Sequence, residues 1–268
     1  GDPVDYSLSP ILHNEAFQQL GIDAYYSKIN IPQRYLSLEK LKKLDGFNVT
    51  IPHKTEIIKF LNVVNPRATE IGAVNCVLKK NNQFWGFNTD WFGFSMALKR
   101  NNIDLKNKSI LVLGAGGVAY SVLYSLIQEN VKKIFIKNRT NSNIEKLIEH
   151  FKLKIGNIDV MNFENAKPKN GEIDIIVNCT SLGMKPNECR MAINEGFILK
   201  KHMVIDTIYT PIETLMLKKS NEKRAKTLNG MDMFIYQGLA SLDIWFGENV
   251  SHKLDFNKIK EKLLNNLC

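Results

Sequence analysis

Residues 109–126 read SILVLGAGGVAYSVLYSL, and the placing of three glycines decides how they fold. Positions 110–127 carry no charge over eighteen residues, the length at which a membrane span becomes possible. Gly114, Gly116 and Gly117 argue against a span, because they divide the run into a short strand, a tight turn and a helix. Gly114, Gly116 and Ala119 then stand in G-x-G-x-x-A spacing, after an apolar strand and at the start of a helix. In that setting Gly114 permits the turn, Gly116 leaves room for a pyrophosphate, and Ala119 lets helix and strand pack closely. The loop and first turn, Gly114, Ala115, Gly116, Gly117, Val118 and Ala119, offer backbone N–H groups and a helix dipole to phosphate. The expectation is a dinucleotide site.

The next strand bears on which dinucleotide. It ends IKNRT, with Asn138 where an NAD enzyme keeps the carboxylate that holds the ribose hydroxyls, followed by Arg139 and Thr140. A missing acid and an added guanidinium favour a 2′-phosphate, hence NADP. The loop NCTSLGM (178–184) follows another apolar strand, at the end of the sheet where ligands bind; Thr180 and Ser181 there either cap the next segment or line the cofactor cleft.

Around this motif the strands ILVLG, KIFIKN, IDIIVN and MVIDTIY alternate with helical stretches, which implies a parallel sheet. The first hundred residues form an earlier α/β series. SPILHNEAFQQLG (9–21) is predicted helical, with Ser9 as N-cap, Pro10 at the first helical position and Gly21 as terminator. AYYSKINI, GFNVTIP, GAVNCVLK and QFWGFN are predicted strands, and TEIIKFLNVV (55–64) a helix. The tail 251–267 is amphipathic and helical. The fold expected is α/β, with two domains around a cleft. Residues 1–100, joined by C-terminal helices at 239–268, make a substrate domain, and 101–238 a Rossmann-like NADP domain.

The chain has 268 residues and a net charge of +9, with basic residues scattered and the densest run, LKKSNEKRAK (217–226), lacking aromatics. That pattern excludes a nucleic-acid reader and fits a solvated helix end, while a positive surface favours small anions. Four cysteines, Cys76, Cys179, Cys189 and Cys268, are widely spaced without a C-x-x-C pair, as in a reduced, cytoplasmic protein. No membrane segment and no metal site is expected.

GFNVTIPHK (46–54) places Asn48 and Thr50 on the polar face of a strand whose other face is Phe47, Val49 and Ile51, with Lys54 delivered just after Pro52. An unpaired amide in an apolar strand is costly, so Asn48 and Asn75 require partners, either internal or in a ligand. Ser7 and Ser9 flank a helix start, where two hydroxyls and the dipole suit a carboxylate. Asp90 is either the cap of a helix beginning at Trp91 or a charged partner for a functional group.

SLSP, GFNVTIPHK, GAVN, NTD, GAGG, NRT, NCTSLGM, YTPIETLML and GMDMFIYQG occur in the order and spacing of the shikimate dehydrogenases, and the chain resembles that family over nearly its whole length. The resemblance implies NADP-dependent, reversible reduction of 3-dehydroshikimate to shikimate. It implies Lys54 as proton donor and Asp90 as its partner in a catalytic pair, with Ser7, Ser9, Thr50, Lys54, Asn75, Asp90, Tyr209 and Gln237 on the substrate. Gly230 and Met233 join the glycine loop, Asn138, Arg139, Thr140, Thr180 and Ser181 on the cofactor side. Two departures stand out: Cys76 replaces the threonine usual after AVN, and Asn143 occupies a zone where the family often has a second cation. Alternatives are a quinate/shikimate dehydrogenase accepting either cofactor, and a ligand-sensing homologue, which would not need the Lys54 and Asp90 pair. A monomer or a homodimer is expected.

Overall fold

The computed structural model describes residues 1–155, 159–247 and 249–267. Cys268 lies outside them. The chain divides into two compact units, Gly1–Met96 with Met233–Cys268, and Ala97–Asp232. Both crossing points fall inside helices, between Met96 and Ala97 of the helix 90–100 and between Asp232 and Met233 of the helix 231–246.

The first unit opens with α1 (Ser9–Leu20), which Gly21 ends in the left-handed conformation at φ 63°. Leu8, not Ser9, is the N-cap residue, so Ser9 is already helical and the predicted cap is corrected by one position. Strands β1 (Gly46–Asn48), β2 (Val63–Val64), β3 (Cys76–Lys80) and β4 (Gln83–Phe87) form a sheet ordered β1-β3-β4-β2, with α2 (Pro66–Ile71) between β2 and β3. The sheet is mixed: β3 pairs antiparallel with β1 and β4, and β2 pairs parallel with β4. Asn81 and Asn82, both at positive φ, close the β3–β4 hairpin, which is the turn chemistry that matches strand twist. Helix α3 (Asp90–Arg100) follows β4.

Three predicted elements differ. Residues 24–31 carry no strand; Tyr25 is 85% exposed, so the alternation there does not bury a face. The stretch 55–64 is one 3-10 segment, Glu56–Phe60, followed by β2, because Val63 and Val64 pair with Trp85 and Gly86. The strand read at GFNVTIP ends at Asn48, and Ile51 is 43% exposed instead of sharing the buried face with Val49.

The second unit holds β5 (Ser109–Leu113), α4 (Gly117–Gln128), β6 (Lys133–Lys137), α5 (Asn141–Ile155), β7 (Val160–Asn162) and α6 (Phe163–Ala166). It continues through β8 (Ile175–Asn178), β9 (Met203–Asp206), α7 (Leu215–Glu222) and β10 (Lys226–Leu228). Its six strands run in the order β10-β9-β8-β5-β6-β7, every pairing parallel. The chain leaves β5 toward β6 and β7, then returns to build β8, β9 and β10 on the other side, so the switch point lies between β5 and β8. All five β5 residues are buried, as expected for a central parallel strand covered on both faces. The uncharged run 110–127 is therefore strand, turn and helix. Among the described residues no helix is long and apolar enough to cross a membrane.

Helix α8 (Met231–Phe246) begins at the end of the second unit and continues into the first, where α9 (Phe256–Leu264) also belongs. In the first unit Gly238 of α8 lies against Leu12 of α1, where a Cβ would stand 2.9 Å from Leu12 Cδ2, and the Trp245 indole donates to the Val77 carbonyl at 3.0 Å. Lys262 of α9 pairs with Glu15 of α1. These contacts bind the C-terminal helices to α1 and, through Trp245, to β3.

Candidate active site

After β1 the chain turns at Pro52 and brings Lys54 inward, where its carbonyl accepts from Val74 N–H at 2.8 Å. Lys54 is 8% exposed and Asp90, the first residue of α3, is 4% exposed; Lys54 Nζ donates to Asp90 Oδ2 at 2.6 Å. Burying either charge alone would be expensive, and the pair meets that cost only with further hydrogen bonds. Asn75 supplies one, donating from Nδ2 to Asp90 Oδ1 at 2.9 Å. Helix capping falls to Asn88, whose Oδ1 accepts from Trp91 N–H, so Asp90 is left to the pair.

Asn75 is the centre of this network. Its Nδ2 also lies 2.9 Å from Thr89 Oγ1 and 3.2 Å from Gln237 Oε1 on α8, while its Oδ1 accepts from Thr89 N–H at 2.6 Å. Three acceptors surround an amide with two hydrogens, so Gln237 competes for a donor that Asp90 and Thr89 also use. Thr89 Oγ1 stands 3.3 Å from Ser241 Oγ, which accepts from Asn48 Nδ2 at 2.9 Å. Asn48 Oδ1 accepts from the Tyr26 hydroxyl at 3.0 Å, so Asn48 is satisfied within the protein. Sequence reasoning does not single out Thr89 or Ser241; Thr89 sits in the quoted NTD motif, and Ser241 carries no local signal. Burial pushes the Cys76 thiol up to about 12, so it stays protonated beside Ser241.

The other residues expected on the substrate are placed as follows. Ser7 Oγ donates to Ser9 Oγ at 3.1 Å and accepts from Ser9 N–H at 3.3 Å, which sets two half-buried hydroxyls side by side at the start of α1. Thr50 is exposed, with its carbonyl accepting from His53 N–H at 2.8 Å. Tyr209 lies in the second unit, half-buried in the loop after β9. The direct hydrogen bonds thus join Lys54, Asp90, Asn75 and Gln237.

In the second unit Gly114 has φ 105°, and a Cβ there would lie 3.0 Å from the Cys179 carbonyl and from Thr180 Cγ2. The glycine loop and the 178–184 loop therefore meet at the switch point, and only glycine fits between them. At Gly116 a Cβ would meet nothing within 4 Å, and α4 has no side-chain cap. The leading N–H groups of this twelve-residue helix are left for an external acceptor, and the site fits a pyrophosphate. Ala119 is fully buried, as close packing requires. Asn138 donates to the Thr140 carbonyl at 3.0 Å, shaping the turn from which exposed Arg139 projects. Thr180 N–H and hydroxyl both donate to Asn178 Oδ1, at 3.0 and 2.7 Å, so Thr180 forms part of an internal turn, while Ser181 is exposed. Gly230 has its own reason to be glycine, since a Cβ would stand 2.2 Å from the Thr207 carbonyl oxygen; Met233 is 7% exposed. Among the described residues no group of His, Cys, Asp and Glu is arranged to hold a metal ion.

Two family models match the chain: the shikimate dehydrogenase substrate binding domain over residues 1–77, and shikimate / quinate 5-dehydrogenase over residues 95–207. A shikimate dehydrogenase (NADP(+)) from Geobacillus sp. (strain WCH70) is 39% identical over 252 residues, covering 92% of this chain and 91% of the relative. The crystal structure of shikimate dehydrogenase from Aquifex aeolicus superposes with a TM-score of 0.84 at 38% identity, covering 98% of this chain and 94% of that one. Shikimate 5-dehydrogenase from Thermus thermophilus, solved with NADP(H) and shikimate, gives a TM-score of 0.83 at 29% identity, covering 99% and 97%.

Proposed function

Because this chain belongs to the shikimate dehydrogenase family, we propose that it catalyses the reversible NADP-dependent reduction of 3-dehydroshikimate to shikimate, with Lys54 and Asp90 as the catalytic pair. The observation that carries the reading is the buried 2.6 Å contact between Lys54 and Asp90. A ligand sensor has no use for a desolvated ammonium and carboxylate held by a third polar residue; a ketone reductase does.

The dinucleotide, when bound, supplies the two electrons as hydride. Everything else comes from the chain. As negative charge develops on the substrate oxygen, the Lys54 ammonium stabilises it and transfers a proton from Nζ. Asp90 accepts from Nζ, which fixes the direction of the ammonium. In the reverse reaction Lys54, returned to the amine, accepts the hydroxyl proton. Asn75 holds Asp90 from its other oxygen. Ser7 and Ser9 hold the substrate carboxylate at the start of α1, and Thr50, Asn75, Gln237 and Tyr209 hydrogen-bond its hydroxyls. Arg139, with Asn138 and Thr140, receives the 2′-phosphate, and the loop from Gly114 to Ala119 receives the pyrophosphate, with Thr180, Ser181, Gly230 and Met233 lining the rest of the cofactor's path. Cys76, Cys179 and Cys189 are free thiols, which supports a reducing compartment such as the cytoplasm.

The test is an assay matrix of shikimate and quinate, each with NADP+ and NAD+, followed by absorbance of the reduced cofactor. Shikimate with NADP+ is expected to be the fastest combination. Turnover of quinate at a comparable rate would replace this reading with the dual-substrate one, and no turnover in any combination would leave a binding protein.

A further inference from the structure

Strands β8 and β9 are neighbours in register, and at their carboxyl ends Asn178 pairs with Asp206. Both side chains are fully buried. Asn178 Nδ2 donates to Asp206 Oδ1 at 3.0 Å and to the Leu182 carbonyl at 3.2 Å, while its Oδ1 takes the two donors of Thr180. Thr180 Oγ1 in turn accepts from Leu182 N–H at 3.1 Å. On the other side, Asp206 Oδ1 accepts from Ile208 N–H at 3.0 Å and Oδ2 accepts from Thr214 Oγ1 at 2.7 Å. Thr214 caps α7. One carboxylate thereby joins the loop after β8, the loop after β9 and the start of a helix.

A buried carboxylate is a costly way to make three hydrogen bonds. Burial pushes Asp206 up to about 6 in spite of the donors that Ile208, Thr214 and Asn178 supply. What an ionised carboxylate does that a side-chain hydroxyl or amide does not is accept only. An amide has two similar ends, and it settles into one orientation when a neighbour can only accept. Asp206, with the Leu182 carbonyl, draws Nδ2 of Asn178 toward itself and so turns Oδ1 toward Thr180, whose side chain packs against Gly114 of the glycine loop.

We propose that Asp206 is a positioning residue for the cofactor loop: by fixing the amide of Asn178 it sets the shape of residues 178–182 that receives the dinucleotide. The proposal rests on the NADP reading of the second unit. It assigns Asp206 no contact with the cofactor.

The test uses the whole chain and the variants Asp206→Ala, Asp206→Asn and Thr214→Val. Amide hydrogen exchange is measured on the protein without cofactor, NADP+ affinity by calorimetry, and shikimate KM and kcat by assay. In Asp206→Ala the Thr180 and Leu182 amides are expected to exchange about tenfold faster or more, and NADP+ Kd to rise about tenfold, with shikimate KM within about twofold of wild type. Thr214→Val removes a hydroxyl that bonds the same carboxylate without touching Asn178, so melting should fall while the Thr180 amide exchanges within about twofold of wild type. Should Asp206→Ala not fold, Asp206→Asn carries the test with the same directions and smaller changes, since its own amide no longer dictates the orientation of Asn178. Wild-type exchange and NADP+ affinity in a folded Asp206 variant would overturn the proposal, as would equal losses for NADP+ and shikimate, the mark of a merely structural residue. Wild-type protein that binds no NADP+ would instead overturn the dinucleotide reading on which it stands.

Discussion

Lys54 Nζ stands 2.6 Å from Asp90 Oδ2 with both side chains more than nine-tenths buried, and the second oxygen of Asp90 is held by Asn75. Removing one member of such a pair leaves an uncompensated buried charge, whereas removing the brace changes only geometry and hydrogen bonding. The two kinds of substitution should therefore be distinguishable.

Asn75→Ala takes a donor from Asp90 and leaves Thr89 N–H, now bonded at 2.6 Å, without its acceptor. Stability should fall by about 1–3 kcal/mol, the cost of unsatisfied buried polar groups, and kcat should fall as Asp90 loses its fixed orientation. Urea unfolding alongside kcat per folded molecule checks both. Unchanged kcat in a destabilised protein would make Asn75 purely structural.

Ser7→Ala and Ser9→Ala should each weaken shikimate binding by about 1–3 kcal/mol, the range for a hydrogen bond to a charged group. The hydroxyls lie 3.1 Å apart, so the double variant should lose less than the sum of the two. Cofactor affinity, measured in the same series, should stay at the wild-type value.

Arg139→Ala should raise KM for NADP+ while leaving KM for NAD+ nearly unchanged, because only NADP+ presents a 2′-phosphate. Asn143, in the first turn of α5, is where a second cation would act, so Asn143→Lys should shift selectivity the other way. The ratio of kcat/KM for the two cofactors reads both effects. A wild-type enzyme indifferent to the cofactor would remove the basis for either.

His13 is 1% exposed, with its ring stacked on Tyr26 at 4.4 Å, and burial lowers it to about 3 from an ordinary 6.5 although the Asn48 side chain favours the charged form. A depressed folded value means the unfolded chain binds the proton first, so the contribution to stability is intact above pH 6.5 and is lost as pH falls toward 3. The full loss is on the order of 4–5 kcal/mol. Melting temperatures of wild type and His13→Phe between pH 7 and 4 should show the variant less sensitive to acid. Parallel curves would mean that His13 contributes nothing to acid unfolding.

The second unit is largely legible in the sequence because its central strands are buried on both faces, and continuous apolar runs such as ILVLG mark them without ambiguity. Strands β7 and β10 escape such a reading: each is three residues long, lies at an edge of the sheet, and has half-exposed positions. The first unit is harder. AYYSKINI has strand-forming residues, yet propensity alone does not supply a ladder partner, and β2 is too short to outweigh the helical pattern of TEIIKFLNVV. In the site, Lys54, Asp90 and Asn75 stand out as charged or polar residues in apolar surroundings. Thr89 and Ser241 do not, because a small hydroxyl reads as a cap or a surface residue until the fold brings together positions 152 apart in sequence.

Turnover of Lys54→Ala per folded molecule, measured with a melting curve and NADP+ affinity, tests the central claim most directly. If Lys54 supplies the proton and stabilises the developing charge, kcat should fall roughly a hundredfold or more with NADP+ affinity nearly intact. Asp90→Asn should act through the same pair, and the double variant should be little worse than the worse single one. Near-wild-type kcat in the folded fraction of Lys54→Ala, with only the melting temperature lowered, would contradict the account.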